Sequence, residues 1–89
     1  MIELETIYDH SQSFYKKAMI KKEGEKIYLY SYYTLVLKID LKNGGYLLNS
    51  GRLWSQTTTR HIKEALKQYL NIFYNSKEII KNDGINYEE

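Results

Sequence analysis

The sequence predicts an α+β fold: a small antiparallel sheet of four or five strands with one main amphipathic helix, C-terminal to the strands, packed on one face. Three observations carry this reading. Residues 2–54 hold short runs of alternating apolar and polar residues separated by turn signals. Residues 62–73 place Ile62, Ala65, Leu66, Tyr69, Leu70 and Phe73 at i, i+3, i+4, i+7 spacing, one apolar stripe of a helix. Between them Trp54-Ser55-Gln56-Thr57-Thr58-Thr59-Arg60-His61-Ile62 sets hydroxyl residues and a basic pair at the start of that helix.

In chain order, Ile2, Leu4, Thr6 and Tyr8 alternate with Glu3, Glu5, Ile7 and Asp9, so residues 2–9 read as a half-buried strand. His10-Ser11-Gln12-Ser13 is a polar break. Phe14 to Lys21 alternates again, and Lys22-Glu23-Gly24-Glu25 marks a hairpin turn. Lys26 to Ile39 is rich in strand formers but long for one strand, so a break, bulge or bend is expected near Ser31–Tyr33. Ile27 and Leu29 face opposite to Tyr28, Tyr30 and Tyr32. Leu35, Leu37, Ile39 and Leu41 share a face, with Val36, Lys38 and Asp40 on the other. Asn43-Gly44-Gly45 is a turn, Tyr46 to Asn49 a short strand, and Ser50-Gly51-Arg52 a further turn.

The main helix is expected over about residues 58–74, with Thr57 or Thr58 as N-cap and Trp54 sealing the junction with the sheet. Lys63, Glu64, Lys67, Gln68 and Asn71 form its polar side. Ile62, Leu66, Tyr69 and Phe73 are expected to be buried. Residues 76–89 read as a second short helix with Ile79 and Ile80 packing back, or as a tail. A single helix covers only one face of the sheet, so the other is left to solvent or to a partner.

Eighty-nine residues make one domain, 1–89, with one modest core. The absence of Cys excludes disulfides and thiolate metal sites and fits a reducing compartment. No run of eighteen apolar residues is present, and the acidic, alternating Met1-Ile2-Glu3-Leu4-Glu5 is unlike a secretory signal. The expectation, by elimination, is a protein of the host-cell cytoplasm with no membrane partner. A net charge of +2 is too balanced to imply a nucleic-acid ligand by itself. The charge is nevertheless uneven: Lys16, Lys17, Lys21, Lys22 and Lys26 cluster in sequence, and both ends are acidic. Lysines of this kind commonly guard exposed strands.

Ten tyrosines are the compositional outlier. Tyrosine joins a large apolar body to a polar tip, which suits half-buried sheet faces and binding surfaces. Two candidate surfaces follow. One is a tyrosine–lysine hairpin of Tyr15, Lys17, Lys21, Tyr28, Tyr30 and Tyr32. The other is the helix start, with Arg60 and His61 near unpaired backbone N–H groups. An arginine in a first turn opposes the helix dipole and so asks for a reason. His10 and His61 have no carboxylates at metal-ligand spacing, and no cofactor motif appears. Two histidines near lysines give the weakest reading, a ribonuclease-like toxin.

Tyr30-Ser31-Tyr32-Tyr33-Thr34-Leu35-Val36 and Trp54-Ser55-Gln56-Thr57-Thr58-Thr59-Arg60-His61-Ile62 supply the pattern Tyr-x-Thr-x-Val, then Trp-Ser-x-Thr-Thr-x-Arg-His-Ile. This resembles a family of small proteins encoded by phages and prophages of low-GC Gram-positive bacteria. The resemblance transfers no catalytic residue. It implies a viral accessory protein, a class whose members often bind and block a host factor, as anti-CRISPR proteins do. The expectation is therefore a non-enzymatic protein, without cofactor, that binds a host or phage protein. The alternative is a small nucleic-acid-binding module using the same residues. A homodimer is expected from the sheet face left open.

Overall fold

In a computed structural model the chain forms a five-stranded antiparallel sheet with one main and one short helix, and the structure describes residues 1–10, 16–49 and 55–88. The strands are β1 (Ile2–Glu3), β2 (Ala18–Glu23), β3 (Lys26–Ser31), β4 (Thr34–Asp40) and β5 (Gly45–Leu48). The helices are α1 (Gln56–Leu70) and α2 (Ser76–Lys81). Strand order follows chain order, a plain meander with β3 at the centre. No described helix is long and apolar enough to cross a membrane.

Each turn follows from its residues. Gly24 takes φ +58° at the first position of the two-residue loop between β2 and β3. Between β4 and β5 the Asp40 carboxylate accepts the backbone N–H groups of Lys42 (3.0 Å) and Asn43 (3.2 Å), a side-chain mimic of a turn. The β3–β4 loop is Tyr32-Tyr33, closed by the pair Ser31–Thr34.

Alternation sorts the sheet into two faces. Ile20, Leu29, Leu37 and Leu48 form one cross-strand row, and Ile27, Ile39 and Tyr46 the next. These rows and Ala18 pack beneath Ile62, Ala65 and Leu66 of α1. The opposite face carries Met19, Lys21, Tyr28, Tyr30, Leu35, Lys38 and Leu47, all half-buried except the exposed Lys21. The break expected near Ser31–Tyr33 is the turn that divides residues 26–39 into β3 and β4, and a separate bulge lies where these strands pair, between Leu29 and Tyr30. It inserts Val36, which is buried, and so sets Leu35 opposite Tyr30 on the face away from α1 and Leu37 opposite Leu29 in the core. Leu35 and Leu37 therefore do not share a face, contrary to strict alternation.

Helix α1 differs from its sequence reading at both ends. Its N-cap is Ser55, not Thr57 or Thr58: the Ser55 side chain accepts from the Thr58 N–H at 3.1 Å. At the other end Asn71 adopts the left-handed conformation (φ 56°, ψ 36°) and stops the helix at Leu70. The stripe is thereby cut short. Phe73 is 56% exposed, packed edge-on to Tyr8 with ring centroids 5.2 Å apart, rather than buried on the sheet. Trp54 lies outside the described residues.

Residues 2–9 also depart from one continuous strand. Only Ile2 and Glu3 pair with β2, and Leu4 adds one bond to the Ala18 carbonyl at 2.8 Å. The chain then crosses to α1. There Glu64, 1% exposed, accepts the backbone N–H groups of Ile7 (3.0 Å), Tyr8 (3.2 Å) and Asp9 (2.8 Å). Gln68 donates to the same carboxylate and to the Glu5 carbonyl. A residue that reads as part of the polar side is thus buried as an acceptor of amide donors.

The C-terminal segment guards the other edge. Asn75 and Glu78 form a capping box on α2, Ile79 joins the core, and the Tyr46 hydroxyl donates to the Ile79 carbonyl at 2.7 Å. Asp83 accepts from the Leu48 N–H at 2.7 Å, and the Gly84 N–H donates to the Tyr46 carbonyl at 2.9 Å, so β5 is not a bare edge. A Cβ on Gly45 would run into the backbone of residues 85–87, so this close approach needs glycine. Beyond it the Glu88 N–H, the Asn43 amide and the Lys26 ammonium converge on Asp40. Burial alone would raise the Asp40 carboxyl, but the hydrogen bonds from Asn43, Lys26 and Glu88 outweigh it and hold the group well below the usual carboxylate range.

Three outcomes are expected. Leu66→Ala, which empties a fully buried site, lowers stability by roughly 2–5 kcal/mol in a denaturant melt, and Phe73→Ala by a small fraction of that. Glu64→Ala costs about 2–4 kcal/mol, because three backbone amide donors lose their shared acceptor. Burial pushes the Tyr46 phenol from its ordinary 10 up to about 12. Its contribution is then complete below pH 10 and lost as pH rises through 12. An absorbance titration should show one phenol trailing the exposed tyrosines; its ionisation together with them would refute the buried Tyr46–Ile79 contact.

Candidate functional site

One end of the molecule gathers the start of β2, the β3–β4 turn and the first turns of α1. The tether is polar and buried. Ser31 Oγ, at the end of β3, lies 2.7 Å from His61 Nδ1 and 3.0 Å from Thr58 Oγ1. Ser55 Oγ donates to Thr58 Oγ1 at 3.1 Å, which carries the network back to the helix cap. Ser31 is 2% exposed and His61 0%, so this serine–histidine pair is shut off from solvent. It locks α1 to the sheet at a fixed height.

Above the tether sits the turn. A two-residue hairpin loop with both residues at positive φ favours Asn-Gly, because a Cβ is strained there. Here the two residues are tyrosines, Tyr32 at φ 52° and Tyr33 at φ 69°. Lys16, two residues ahead of β2, is also left-handed at φ 54°. Among the described residues the other two non-glycine cases are asparagines, Asn71 and Asn86, which tolerate this conformation. Two tyrosines at positive φ store roughly 2 kcal/mol or more of strain. The rings are not buried in return: Tyr32 is 48% exposed and Tyr33 82%. The strain is thus spent on displaying two aromatic side chains.

The surroundings of this tip are basic. The Tyr32 N–H donates to the Lys17 carbonyl at 2.9 Å, and Lys17 Nζ lies 5.8 Å from the centre of the Tyr32 ring. The Tyr32 ring in turn lies 6.0 Å from that of His61. Arg60 is exposed beside His61 on α1, and neither Lys17 nor Arg60 forms an ion pair with a described residue. Aromatic rings with adjoining cations suit a partner that offers both an apolar pocket and negative charge.

The residues singled out in the sequence separate into two groups. Lys17, Tyr32, Arg60 and His61 come together at the tip, though His61 faces inward to Ser31 and is unavailable to a partner. Tyr28, Tyr30 and Lys21 lie on the sheet face opposite α1. Tyr15 lies outside the described residues. The lysine cluster does not act as one patch. Lys22 turns toward Tyr69 of α1, Lys21 pairs with Glu23 at 2.7 Å, and Lys26 is taken up by Asp40, the Glu88 carbonyl and the Tyr87 ring. His10 is exposed while His61 is fully buried, so the two histidines do not present a shared pair of imidazoles.

Sequence reading missed Tyr33 and Lys38. The signal for Tyr33 was present: Tyr32-Tyr33 sits between two alternating runs at the spacing of a two-residue hairpin loop. Lys38 joins Tyr28 only through the register that the bulge sets. No group of His, Asp and Glu arranged to hold a metal ion occurs among the described residues.

No curated protein and no solved structure matches this chain. Residues 2–85 match a family described as a family of unknown function, DUF8033. That span takes in every strand, both helices and the whole tip, and the chain belongs to this family.

Proposed function

We propose that this chain is a non-enzymatic phage accessory protein that binds and modulates a host macromolecule, a host-defence protein in the manner of an anti-CRISPR inhibitor being the leading case. The observation that carries the reading is the Tyr32-Tyr33 turn. A chain selected only for stability would place Asn-Gly there; strained, exposed tyrosines are retained for what their side chains meet. Tyrosine anchors supply most of the energy in many protein interfaces, and neighbouring cations steer the encounter. Lys17 and Arg60 fill the second role here. The phage origin and the host target rest on the resemblance of the Tyr-x-Thr-x-Val and Trp-Ser-x-Thr-Thr-x-Arg-His-Ile segments.

The test pairs stability with binding. Replacing Tyr32 with Asn and Tyr33 with Gly should raise stability by about 1–2 kcal/mol, a gain of several degrees in Tm. The same change should abolish retention of a protein partner from nuclease-treated lysate of a Gram-positive host. Tyr32→Ala should weaken that retention more than Lys17→Ala. A double variant that is more stable and still holds the partner would overturn the assignment. Loss of all retained material on nuclease treatment of the parent would favour nucleic acid instead.

A further inference from the structure

The outer face of α1 carries charge that no described residue neutralises. At 3.6 residues per turn, Arg60, Lys63 and Lys67 fall within about 60° of one another around the helix axis and span about 10 Å along it. Ile62, Ala65 and Leu66 take the far side, against the sheet. Gln56 continues the row toward the helix start, so every side chain on it is polar. Arg60 is exposed, and Lys63 and Lys67 are partly so. None of the three forms an ion pair with a described residue. Lys67 Nζ lies 5.9 Å from the centre of the Phe73 ring, a contact that leaves its charge in place. The carboxyl that helix spacing offers this row is Glu64, four residues after Arg60 and three before Lys67. It is buried instead, as the acceptor of the Ile7, Tyr8 and Asp9 amides. The crossing segment, which carries Glu5 and Asp9, is bonded on the side of Glu64 and Gln68, off the row. Lys63 and Lys67, themselves four apart, repel each other. A helix face kept only for solubility interleaves acids with bases, and this one forgoes that support.

We infer that this row binds the phosphate backbone of duplex DNA, independently of base sequence and apart from the aromatic contacts of the tip. A duplex presents one negative charge per about 1.7 Å of axis, twice the density of a single strand, so a straight line of cations about 10 Å long meets several phosphates. The row has no ring to stack on an unpaired base, the contact on which single-strand binding depends. It has no apolar side chain to enter a lipid surface, which helices that lie on membranes supply beside their charges. Phosphates are what it addresses, and contacts to them fix position without reading sequence. Three neutralised phosphates give modest affinity with a steep salt dependence. Arg60 adjoins both the row and the tip, whereas Lys63 and Lys67 belong to the row alone.

The experiment is fluorescence polarisation with a labelled, mixed-sequence DNA duplex of about twenty base pairs. Three phosphate contacts predict an affinity loss of about fortyfold between roughly 50 and 200 mM salt. Replacing Lys63 and Lys67 together with Gln should weaken binding at least about tenfold at the lower salt and reduce that loss to about fourfold, the dependence of the one contact left at Arg60. The thermal melt of this variant should match the parent's, since both side chains face outward. Lys77→Gln with Lys81→Gln removes the same charge from α2 and should leave the salt dependence as in the parent, which separates a local site from net charge. The Tyr32→Asn, Tyr33→Gly variant should bind the duplex as the parent does, so this site and the tip stand or fall separately. Absence of binding by the parent at about 50 mM salt would overturn the inference. So would equal losses from the two lysine pairs, or tighter binding of a single strand of the same length.

Discussion

The fold depends on one buried carboxylate. Glu64 sits in the middle of α1, on the side that closes over the sheet, and its charge is matched by three consecutive backbone amides, those of Ile7, Tyr8 and Asp9. A carboxylate taken out of water is costly unless such donors surround it. Once they do, a segment with little hydrophobic anchorage of its own is fastened to the helix. Leu4 then fills the core beside β2, and Tyr8 meets Phe73 past the helix end. Asp40 solves the same problem at the opposite end of the chain, drawing Lys26, Asn43 and Glu88 onto one buried group. Two acids thus do for the two terminal segments what a larger hydrophobic core does in a bigger protein.

These fastenings also decide which surfaces remain for binding. Lys26 and Lys22 are committed to Asp40 and Tyr69, so the basic stretch of the sequence is divided among the tail, the helix and the face away from α1. What stays outward is aromatic in two places. At the tip, rings are held on strained backbone and project into solvent. On the sheet, rings are laid on regular backbone between lysines. The first arrangement suits insertion into a pocket.

Local periodicity made most of the architecture legible. The alternation around Ile27 and Leu29, the Gly24 and Asn43-Gly44 turns, and the spacing of Ile62, Ala65 and Leu66 each identify their element without tertiary information. The misreadings share a cause. Phe73 continues the helical stripe in sequence, yet Asn71 enters the left-handed region and ends the helix first. Residues 2–9 alternate like a strand, yet their amides are claimed by Glu64. Hydropathy places Glu64 on a polar face because it cannot register backbone donors arriving from 55 to 57 positions away. His61 reads as part of a binding surface beside Arg60 for the same reason: its partner, Ser31, belongs to another element. Of the candidate site, the tyrosines were visible by number, but the strain at Tyr32 and Tyr33 emerges only from backbone angles.

The meander order of the sheet has a kinetic consequence. Strands β2 to β5 pair only with chain neighbours, so their assembly closes short loops and is fast. It is also complete in principle before Glu64 has left the ribosome. Residues 7–9 gain their hydrogen-bond partner only when α1 forms and docks. The segment made early in synthesis is therefore placed late, and during that interval the β1 side of the growing sheet stands open to other chains.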